Sequence, residues 1–247
     1  MPIFLKNPHS ILAVLETRPQ DVFEIRLPAA HTEGVWEDVR ATAQQIGIKV
    51  SQRDPRRNRQ RPKQNAGRTG AAEAVVKARE GIPLETLFSE ASDRADGKGL
   101  WLALDTVQDP QNMGAIFRTA AFFGVQGIVL TRNRSAPLSG VVYDVASGGV
   151  EYVPFSLQTN LSRALDAAKA QGLWALGTSE HAETDLDRID TDRPWLLVLG
   201  NEETGIRRLT RDKCDVVCKI PPWGKVASLN VSVAAGVLMH KLSHNPF

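Results

Sequence analysis

The stretch IPPWGKVASLNVSVAAGVLMH, at residues 220–240, joins two opposite patterns. Residues 231–239 are mostly apolar, which predicts a helix packed into a core. The residues before them include two prolines and a glycine, which exclude a strand interior or a helix interior and indicate an irregular loop. Either Ser228 or Asn230 can cap the helix. Because one cap accounts for one polar side chain, the polar residues left over indicate a ligand whose polar edges are matched here.

Upstream of this stretch, from residue 100 onward, short apolar segments alternate with helical patterns. The candidate strands are LWLAL (100–104), GIVLT (127–131), EYVPF (151–155), LWALGT (173–178), WLLVLG (195–200) and DVVCKI (215–220). The candidate helices are 112–124, 137–148, 158–171, 206–213 and 229–243. This alternation predicts an α/β fold, with a mostly parallel sheet and helices on both of its faces.

The residues before 100 follow a less regular pattern. The predicted elements are a helix around 11–15, a strand at 22–27, a helix at 34–47, a short strand at 48–50 and, at 71–79, either a strand or a short helix. A polar, small-residue stretch, SEASDRADGKG, follows and is typical of a linker. We therefore predict a small α/β domain over 1–90, a linker over 91–99 and a larger domain over 100–247.

Composition limits where the protein works. Of its 247 residues, 42% are hydrophobic, enough to bury a substantial core. The sequence contains no apolar run of 18 residues, and its first residues lack the features of a signal peptide. The two cysteines, Cys214 and Cys218, are expected to be buried thiols rather than a disulfide framework. These features predict a cytoplasmic protein that does not cross a membrane.

Several common site signatures are missing from the sequence. There is no GxGxxG after the first strand of the larger domain, no phosphate-binding GxxxxGK[ST] and no GxSxG nucleophile turn. His240 and His244 are four residues apart, but no Cys, Asp or Glu completes a metal set around them. We expect a surface pair there, and no metal.

Positive charge is concentrated in one segment. Residues 51–70 contain seven Lys or Arg and one Asp, a net charge of +6, whereas the whole chain carries only +2. Such a cluster is typical of a protein that binds a polyanion. A solvated basic loop without a partner is the alternative. The arginines expected to bind such a polyanion, RNA or DNA, are Arg56, Arg57, Arg59, Arg61 and Arg68.

Polar clusters also follow two of the predicted strands. In LDTVQDPQNMGAIFRTAAFFG (104–124), Asn112 can cap the next helix and Gly114 allows another backbone or a ligand to come close. Arg118 lies among apolar neighbours, and a buried or half-buried arginine needs a partner. That partner is either a structural carboxylate or an anionic reacting group.

The second cluster is LVLGNEETGI, at 197–206, where Gly200 and Gly205 bracket Asn201, Glu202 and Glu203. A tight turn at the carboxyl end of a strand is where ligands bind in open α/β sheets. A capped helix start accounts for these polar residues equally well.

Together the three clusters resemble a known family. DPQNMGAIFRTAAFFG, VLGNEETG and IPPWGKVASLNVSVAAG are similar, in order and spacing, to the three motifs of the SpoU-type RNA ribose 2′-O-methyltransferases of the trefoil-knotted SPOUT class. The RlmB-like 23S rRNA guanosine-2′-O-methyltransferases are the most similar group. The resemblance covers residues 100–243. Residues 1–90 resemble, more weakly, the L30e-like substrate-binding domain of that group, with Arg68-Thr69-Gly70 where the family usually has His-Gln-Gly and with an arginine-rich loop at 53–68.

The resemblance implies a C-terminal trefoil knot, a homodimer and S-adenosyl-L-methionine as cofactor, with no metal. The residues it implies for the cofactor are Thr178, Gly200, Ile220 and Leu229. The residues it implies for catalysis are Asn112, Arg118, Glu202, Ser228 and Asn230. The expected reaction is methyl transfer to a ribose 2′-hydroxyl in RNA, most of all in 23S rRNA. A tRNA ribose methyltransferase of the same class and a non-catalytic RNA-binding or ribosome assembly factor remain alternatives.

The expected chemistry suits an arginine that acts as a cation better than an arginine that acts as a general base. The family's key arginine corresponds to Arg118 and is often regarded as the base. Because a guanidinium almost never loses its proton, we expect Arg118 to hold the target phosphate and to stabilise the emerging alkoxide. Asn112 and Glu202 are expected to orient Arg118 and the ribose.

Overall fold

A four-stranded sheet forms the first part of the protein. The computed structural model describes residues 1–27, 33–52 and 72–243. The strands, in spatial order, are β1 (Pro2–Leu5), β4 (Glu73–Lys77), β2 (Val22–Leu27) and β3 (Val50–Gln52). β4 pairs antiparallel with both neighbours, and β2 pairs parallel with β3. Ala74 and Val76 alternate with half-exposed residues along β4, so one face of this sheet is buried. The helices of this part are α1 (Pro8–Thr17) and α2 (Val35–Gln45).

A seven-stranded sheet follows, and all of its pairings are parallel. Its strands are β5 (Leu100–Leu104), β6 (Gly127–Thr131), β7 (Phe155–Gln158), β8 (Trp174–Thr178), β9 (Thr184–Asp185), β10 (Trp195–Leu199) and β11 (Val216–Lys219). Their spatial order is β7-β6-β5-β10-β8-β11-β9. β5, β6 and β10 are buried at every position, because helices cover both faces of the sheet.

The helices of this larger part divide between the two faces. They are α3 (Leu84–Leu87), α4 (Pro110–Phe122), α5 (Gly140–Ala146), α6 (Gly149–Tyr152), α7 (Leu161–Ala170), α8 (Arg208–Arg211) and α9 (Val231–Leu242). Leu102 and Leu104 of β5 join the core that contains α4 and α9, whereas Trp101 and Ala103 join the core that contains α3 and α7. Short 3-10 helices occur at Pro19–Asp21, Arg94–Gly97 and Leu186–Arg188.

The prediction of a mostly parallel, doubly covered sheet is confirmed, and the strands at 100–104 and 127–131 have the predicted bounds. The strand predicted at 151–155 is wrong. Residues 149–152 form α6, and the strand is Phe155–Gln158. EYVPF was interpreted as a strand, but its first two residues end the helix α6. Glu151 in this helix is buried and pairs with Arg18, which is distant in sequence. The ambiguous segment at 71–79 is the strand β4.

Several predicted bounds were also inaccurate. The strand expected at 48–50 begins only at Val50, and the helix expected at 206–213 is the single turn Arg208–Arg211. The edge strands β1 and β9 were not predicted. β1 contains Pro2 and an exposed Phe4, and β9 has only two residues, so neither carries the apolar alternation that reveals a strand.

The first sheet is bonded to helices of the larger part. Asp144 of α5 accepts hydrogen bonds from the backbone N–H groups of Lys6 (2.8 Å) and Asn7 (2.9 Å). A Cβ at Gly140 would lie 2.2 Å from the carbonyl oxygen of Phe4, so β1 lies directly against the start of α5. Ala91, at the start of the predicted linker, is completely buried. Among the described residues, no helix is long and apolar enough to cross a membrane.

Candidate active site

Three loops leave the carboxyl ends of strands of the parallel sheet. The first connects β5 to α4, the second connects β10 to α8, and the third connects β11 to α9. β5 and β10 are paired neighbours in the sheet, and α4 packs against α9. The three polar clusters of the sequence therefore lie at one edge of the sheet, where ligands of open α/β sheets bind.

One side chain from each loop joins a continuous chain of hydrogen bonds. The Nδ2 of Asn230 donates to the Oδ1 of Asn112 over 2.9 Å. The Nδ2 of Asn112 donates in turn to the Oε1 of Glu202 over 3.1 Å. These residues are separated by 118 and 90 positions in sequence, so the fold brings them together. Three of the five predicted catalytic residues thus form one polar unit.

The start of α4 explains why the Asn112 side chain is available. The cap of this helix is Asp109, whose Oδ1 accepts the N–H of Gln111 over 2.8 Å, with Pro110 as the first helical residue. The prediction that Asn112 caps α4 is therefore wrong, because a cap directly before a proline takes that place. Asn112 lies in the first turn, with only 6% of its surface exposed, and its amide is directed to Glu202 and Asn230.

The prediction that Ser228 or Asn230 caps the last helix is confirmed for Asn230. Its Oδ1 accepts from the N–H and the Oγ–H of Ser232, over 2.8 Å and 2.6 Å. The same amide group donates to Asn112 through its nitrogen. Asn230 therefore couples the beginning of α9 to α4. Ser228 is exposed and makes no hydrogen bond to another described residue.

Glu202 is held by main-chain donors as well as by Asn112. The backbone N–H groups of Gln108 and Asp109 donate to its two carboxylate oxygens, over 3.3 Å and 3.2 Å. Partial burial raises the pKa of Glu202, but the hydrogen bonds from Asn112 and from backbone N–H groups outweigh it, so the pKa lies below its usual value. Glu202 is accordingly a carboxylate at neutral pH, positioned against the first loop.

A tight turn presents Glu202. Asn201 and Gly205 exchange two backbone hydrogen bonds of 3.0 Å, and Gly205 has a φ of +67°. The side chain of Asn201 accepts the N–H groups of Glu203 and Thr204 through Oδ1. This confirms the turn predicted between the two glycines. It also excludes the alternative of a helix start at this position, because α8 begins only at Arg208.

The sequence analysis missed an ion pair behind this turn, in which a buried carboxylate meets a partly exposed arginine. Asp105 follows β5 directly, is fully buried, and accepts the N–H of Arg207 at 3.1 Å and its Nε at 2.6 Å. The pair fixes the end of the second loop against the end of β5. Asp105 immediately after a continuous apolar strand was the available signal, since a charge at such a place needs a partner. Nothing in the sequence singled out Arg207.

The structure places Arg118 differently from the sequence analysis. Arg118 is exposed on α4, and no hydrogen bond or ion pair joins its side chain to another described residue. The expectation of a buried or half-buried side chain with a partner is wrong, because the buried face of α4 passes through Ile116, Phe117 and Ala120 instead. The Arg118 guanidinium does not join the Asn112–Glu202 unit and is free to meet an anion from outside.

The third loop offers main-chain groups to a ligand. Residues 221–229 make no hydrogen bond, through backbone or side chain, to another described residue. Ile220 is half-buried and Leu229 is 50% exposed. Such a loop fits a cofactor that is recognised through backbone N–H and C=O groups. Thr178, at the end of β8, donates its Oγ1–H to the carbonyl of Val198 over 3.1 Å.

Gly200 is required by the packing of the second loop. A Cβ at this position would lie 2.1 Å from the carbonyl carbon of Gly205 and 2.2 Å from the nitrogen of Ile206. Both contacts are with backbone, so the turn has to move to accept any side chain.

We expect Gly200→Ala to displace the Glu202 turn and to lower cofactor affinity at least about tenfold, or about 1.4 kcal/mol. Titration calorimetry with S-adenosylmethionine measures this. Gly236→Ala is the matched control, because a Cβ at this position in α9 would meet only the Cγ2 of Thr119 at 3.8 Å, an ordinary contact. Equal affinity for the two variants would contradict the role given to Gly200.

The arginines expected to bind RNA lie outside the described residues; they are Arg56, Arg57, Arg59, Arg61 and Arg68. Within residues 1–27, 33–52 and 72–243, no three His, Cys, Asp or Glu side chains are grouped so that they could hold a metal ion.

Comparison with known proteins adds a family and a set of relatives. A family model described as the SpoU rRNA Methylase family matches residues 99–240, which include all three strand-end loops. The 23S rRNA (guanosine-2′-O-)-methyltransferase RlmB of Pseudomonas aeruginosa is 36% identical over 236 residues, covering 95% of this chain and 93% of that protein. The enzyme of the same name from Ralstonia nicotianae is 36% identical over 231 residues, covering 94% of this chain and 91% of its own.

A solved structure has the same fold over nearly the whole chain. The SpoU methyltransferase AviRb from Streptomyces viridochromogenes, in complex with the cofactor AdoMet, matches with a TM-score of 0.79 at 21% identity. The match covers 98% of this chain and 89% of that one. At this level of identity, the likeness concerns the fold.

Proposed function

Since this chain belongs to the SpoU rRNA methylase family, we propose that it transfers a methyl group from S-adenosylmethionine to the 2′-hydroxyl of a guanosine ribose in 23S rRNA. The observation that carries the proposal is the bonded unit of Asn230, Asn112 and Glu202 at the carboxyl edge of the sheet. It lies within the residues that the family model matches, beside a loop with free main-chain groups.

We propose a task for each residue of the site. S-adenosylmethionine, when bound, would supply a methyl group on its sulfonium. The ribose 2′-oxygen would bond to the methyl carbon as the carbon–sulfur bond breaks in line, S-adenosylhomocysteine would leave, and the 2′-hydroxyl proton would pass to water. Asn112 and Glu202 orient the ribose, because their amide and carboxylate are fixed by neighbouring groups. Arg118, whose guanidinium is exposed, meets the incoming RNA and stabilises negative charge that develops on the 2′-oxygen. Ser228 and Asn230 shape the end of the site where the methyl group is transferred.

The cofactor site in this proposal consists of Thr178, Gly200, Ile220 and Leu229, which act largely through main-chain groups. The unbonded backbone of residues 221–229 and the close-packed turn at Gly200 support it. The proposal includes a C-terminal trefoil knot around this site. It also includes an L30e-like RNA-binding domain over 1–90, a linker over 91–99 and a catalytic domain over 100–247. The separate four-stranded sheet at 1–77 and the fold likeness to AviRb support these parts.

The direct experiment is methyl transfer in vitro. Purified protein, radiolabelled S-adenosylmethionine and separate transcripts of 23S rRNA and tRNA are incubated, and 2′-O-methyl positions are mapped. Incorporation at one ribose of the 23S transcript is expected. Incorporation only into tRNA supports the tRNA alternative. Cofactor binding without any transfer supports a non-catalytic assembly factor. Two relatives that each cover over nine tenths of this chain are named as 23S rRNA enzymes, which favours the first outcome.

We also propose a homodimer, on the basis of apolar surface near the site. Val233 and Val237 of α9 are 52% and 40% exposed, and Phe122 of α4, which packs beside α9, is 82% exposed. Apolar side chains grouped on two packed helices indicate a surface that another protein covers.

Light scattering at micromolar concentration is expected to give twice the mass of the chain. The variant Val233→Glu/Val237→Glu is expected to give a monomer, because a covered carboxylate without a partner is costly. Phe23→Glu is the matched control, since Phe23 is exposed on the first sheet, and it is expected to leave the dimer intact. A parent protein that scatters as a monomer contradicts the proposal.

The basic segment gives a separate prediction for RNA affinity. Replacing Arg56, Arg57, Arg59 and Arg61 by Gln is expected to weaken RNA binding ten- to a hundredfold, about 1.4–2.8 kcal/mol. Each phosphate that the variant no longer binds flattens the log–log salt dependence by about 0.7. Filter binding across a salt series measures both effects, and cofactor affinity is expected to stay unchanged. If the variant binds RNA as the parent does at every salt concentration, these arginines belong to a solvated basic segment that does not contact RNA.

A further inference from the structure

The loop after β6 presents two arginines at the same edge of the sheet as the candidate active site. Arg132 and Arg134 are both exposed, and neither makes a side-chain hydrogen bond or ion pair with another described residue. β6 is the paired neighbour of β5, whose loop contacts Glu202. Neighbouring strands are about 4.8 Å apart, so this loop begins next to the first loop of the site.

Two hydrogen bonds connect the loop after β6 to the first loop of the site. The N–H of Thr106 donates to the Oγ1 of Thr131 over 3.1 Å, and the N–H of Ala136 donates to the carbonyl of Val107 over 2.9 Å. The residue after Val107 is Gln108, whose N–H donates to Glu202. These bonds fix the position of the loop after β6 relative to the Glu202 carboxylate.

Further hydrogen bonds form within the loop after β6 and between this loop and β7. The hydroxyls of Thr131 and Ser135 are 2.5 Å apart, and the N–H of Arg132 donates to the carbonyl of Gln158 over 2.8 Å. Arg134 has a φ of +58°, a left-handed conformation that side-chain-bearing residues seldom adopt. Strained residues of this kind persist where the surroundings fix them, and they are enriched at ligand clamps.

The nearby carboxylate creates a need for cations. Hydrogen bonds hold the pKa of Glu202 below its usual value, so this side chain is a carboxylate, and under the proposed function the RNA backbone approaches it. A phosphodiester brought beside it is repelled unless positive charge lies nearby. Arg207 already pairs with Asp105, whereas Arg132 and Arg134, like Arg118, have no side-chain partner in the described part of the chain.

We propose that Arg132 and Arg134 bind the RNA phosphates next to the target ribose, so that the 2′-hydroxyl is held against Asn112 and Glu202. This inference rests on the proposed function and specifies how the same site grips its substrate. The guanidinium group matches phosphate oxygens with two parallel hydrogen bonds, so these arginines fix the orientation of the nucleotide as well as its affinity. They are positioning residues, distinct from Arg118, which acts on the reacting oxygen.

The test compares the double variant Arg132→Gln/Arg134→Gln with the parent and with Arg188→Gln/Arg211→Gln. The control removes equal charge from exposed arginines outside the strand-end loops. The probe is a full-length 23S rRNA transcript, with KM and kcat for methyl transfer and filter binding across a salt series as readouts. We expect the KM for RNA to rise about tenfold and the salt slope to flatten by about 0.7 for each phosphate that is no longer bound. The kcat at saturating RNA and the affinity for S-adenosylhomocysteine are expected to stay within about threefold.

Two results overturn the inference: a KM and salt slope equal to those of the parent, or an equal change in the control variant. Arg132→Lys/Arg134→Lys separates charge from geometry, and a KM between those of parent and Gln variant is expected, because lysine keeps the charge without the bidentate fit. A parent protein that methylates neither transcript refutes the proposed function. The filter-binding comparison of the same variants still decides whether this loop contacts RNA.

Discussion

Arg118→Ala is expected to lower kcat for methyl transfer by at least about a hundredfold, because removing one group that stabilises developing charge costs about 10²–10³ in rate. Arg118 is exposed and its side chain has no polar partner among the described residues. Its replacement should therefore change the free energy of unfolding by no more than about 0.5 kcal/mol, the usual range at the surface. RNA and cofactor affinity are expected to remain close to those of the parent.

Single-turnover methyl transfer with saturating RNA separates the chemical step from binding. Arg188→Ala is the matched control, since Arg188 is also exposed and also lacks a side-chain partner in the described part of the chain. Arg118→Lys is expected to recover only part of the rate, because an ammonium lacks the planar donor pair of a guanidinium. A rate for Arg118→Ala within a factor of three of the parent would refute a role in the chemistry.

The parts of the fold that were predictable are those set by local pattern. β5 and β6 were found at their bounds because a strand buried on both faces is a continuous apolar run. The turn at Gly200 and Gly205 was also visible, since two glycines around polar residues suit few other structures. The cap of α4 could have been found too: Pro110 at the first helical position makes Asp109 the cap, which leaves Asn112 free for the site.

The parts that were not predictable depend on partners distant in sequence. EYVPF was interpreted as a strand, but Glu151 belongs to α6 and pairs with Arg18, which is 133 residues away. The pair of Asp105 and Arg207 spans 102 residues, and no local pattern selects one arginine among several. The exposure of Arg118 follows from the face of α4 that packs on the core. Local sequence identified the polar residues, whereas tertiary packing decided which of them meet.

The buried pair of Arg18 and Glu151 connects the first sheet to the helices behind the site. The Nε and Nη2 of Arg18 donate to the two oxygens of Glu151 over 2.8 Å and 2.7 Å, and the two residues are only 7% and 5% exposed. Burial lowers the pKa of Arg18, but its hydrogen bonds to Glu151 and Asp21 raise it by more, so the pKa lies above its ordinary value. Arg18 also donates to the carbonyl of Lys77 in β4.

This pair is also close to the helix that carries the site. Glu151 lies in α6, and a Cβ at Gly149 of the same helix would lie 2.5 Å from the carbonyl oxygen of Phe117 and 3.0 Å from the Cα of Arg118. α6 therefore packs directly on the backbone of α4. A change that loosens α6 releases the first sheet on one side and α4 on the other.

Glu151→Ala is accordingly expected to destabilise the protein by about 3–5 kcal/mol, because it leaves a buried guanidinium without its carboxylate. Denaturant unfolding measures this as a lower midpoint. Asp166→Ala is the matched control, because it breaks the ion pair between Asp166 and Lys213. The side chains of these two residues are 58% and 37% exposed, so the loss of stability should be at most about 1 kcal/mol.

The double variant Arg18→Met/Glu151→Leu distinguishes an uncompensated charge from weakened packing. It removes both charges and keeps much of the buried volume, so it is expected to be more stable than Glu151→Ala, even though Asp21 and the carbonyl of Lys77 lose a donor. If the double variant unfolds at the same midpoint as Glu151→Ala, the cost lies in the packing of α6 against α4 rather than in the charge of Arg18. In that case Glu151→Gln, which keeps the shape of the side chain, should restore most of the stability.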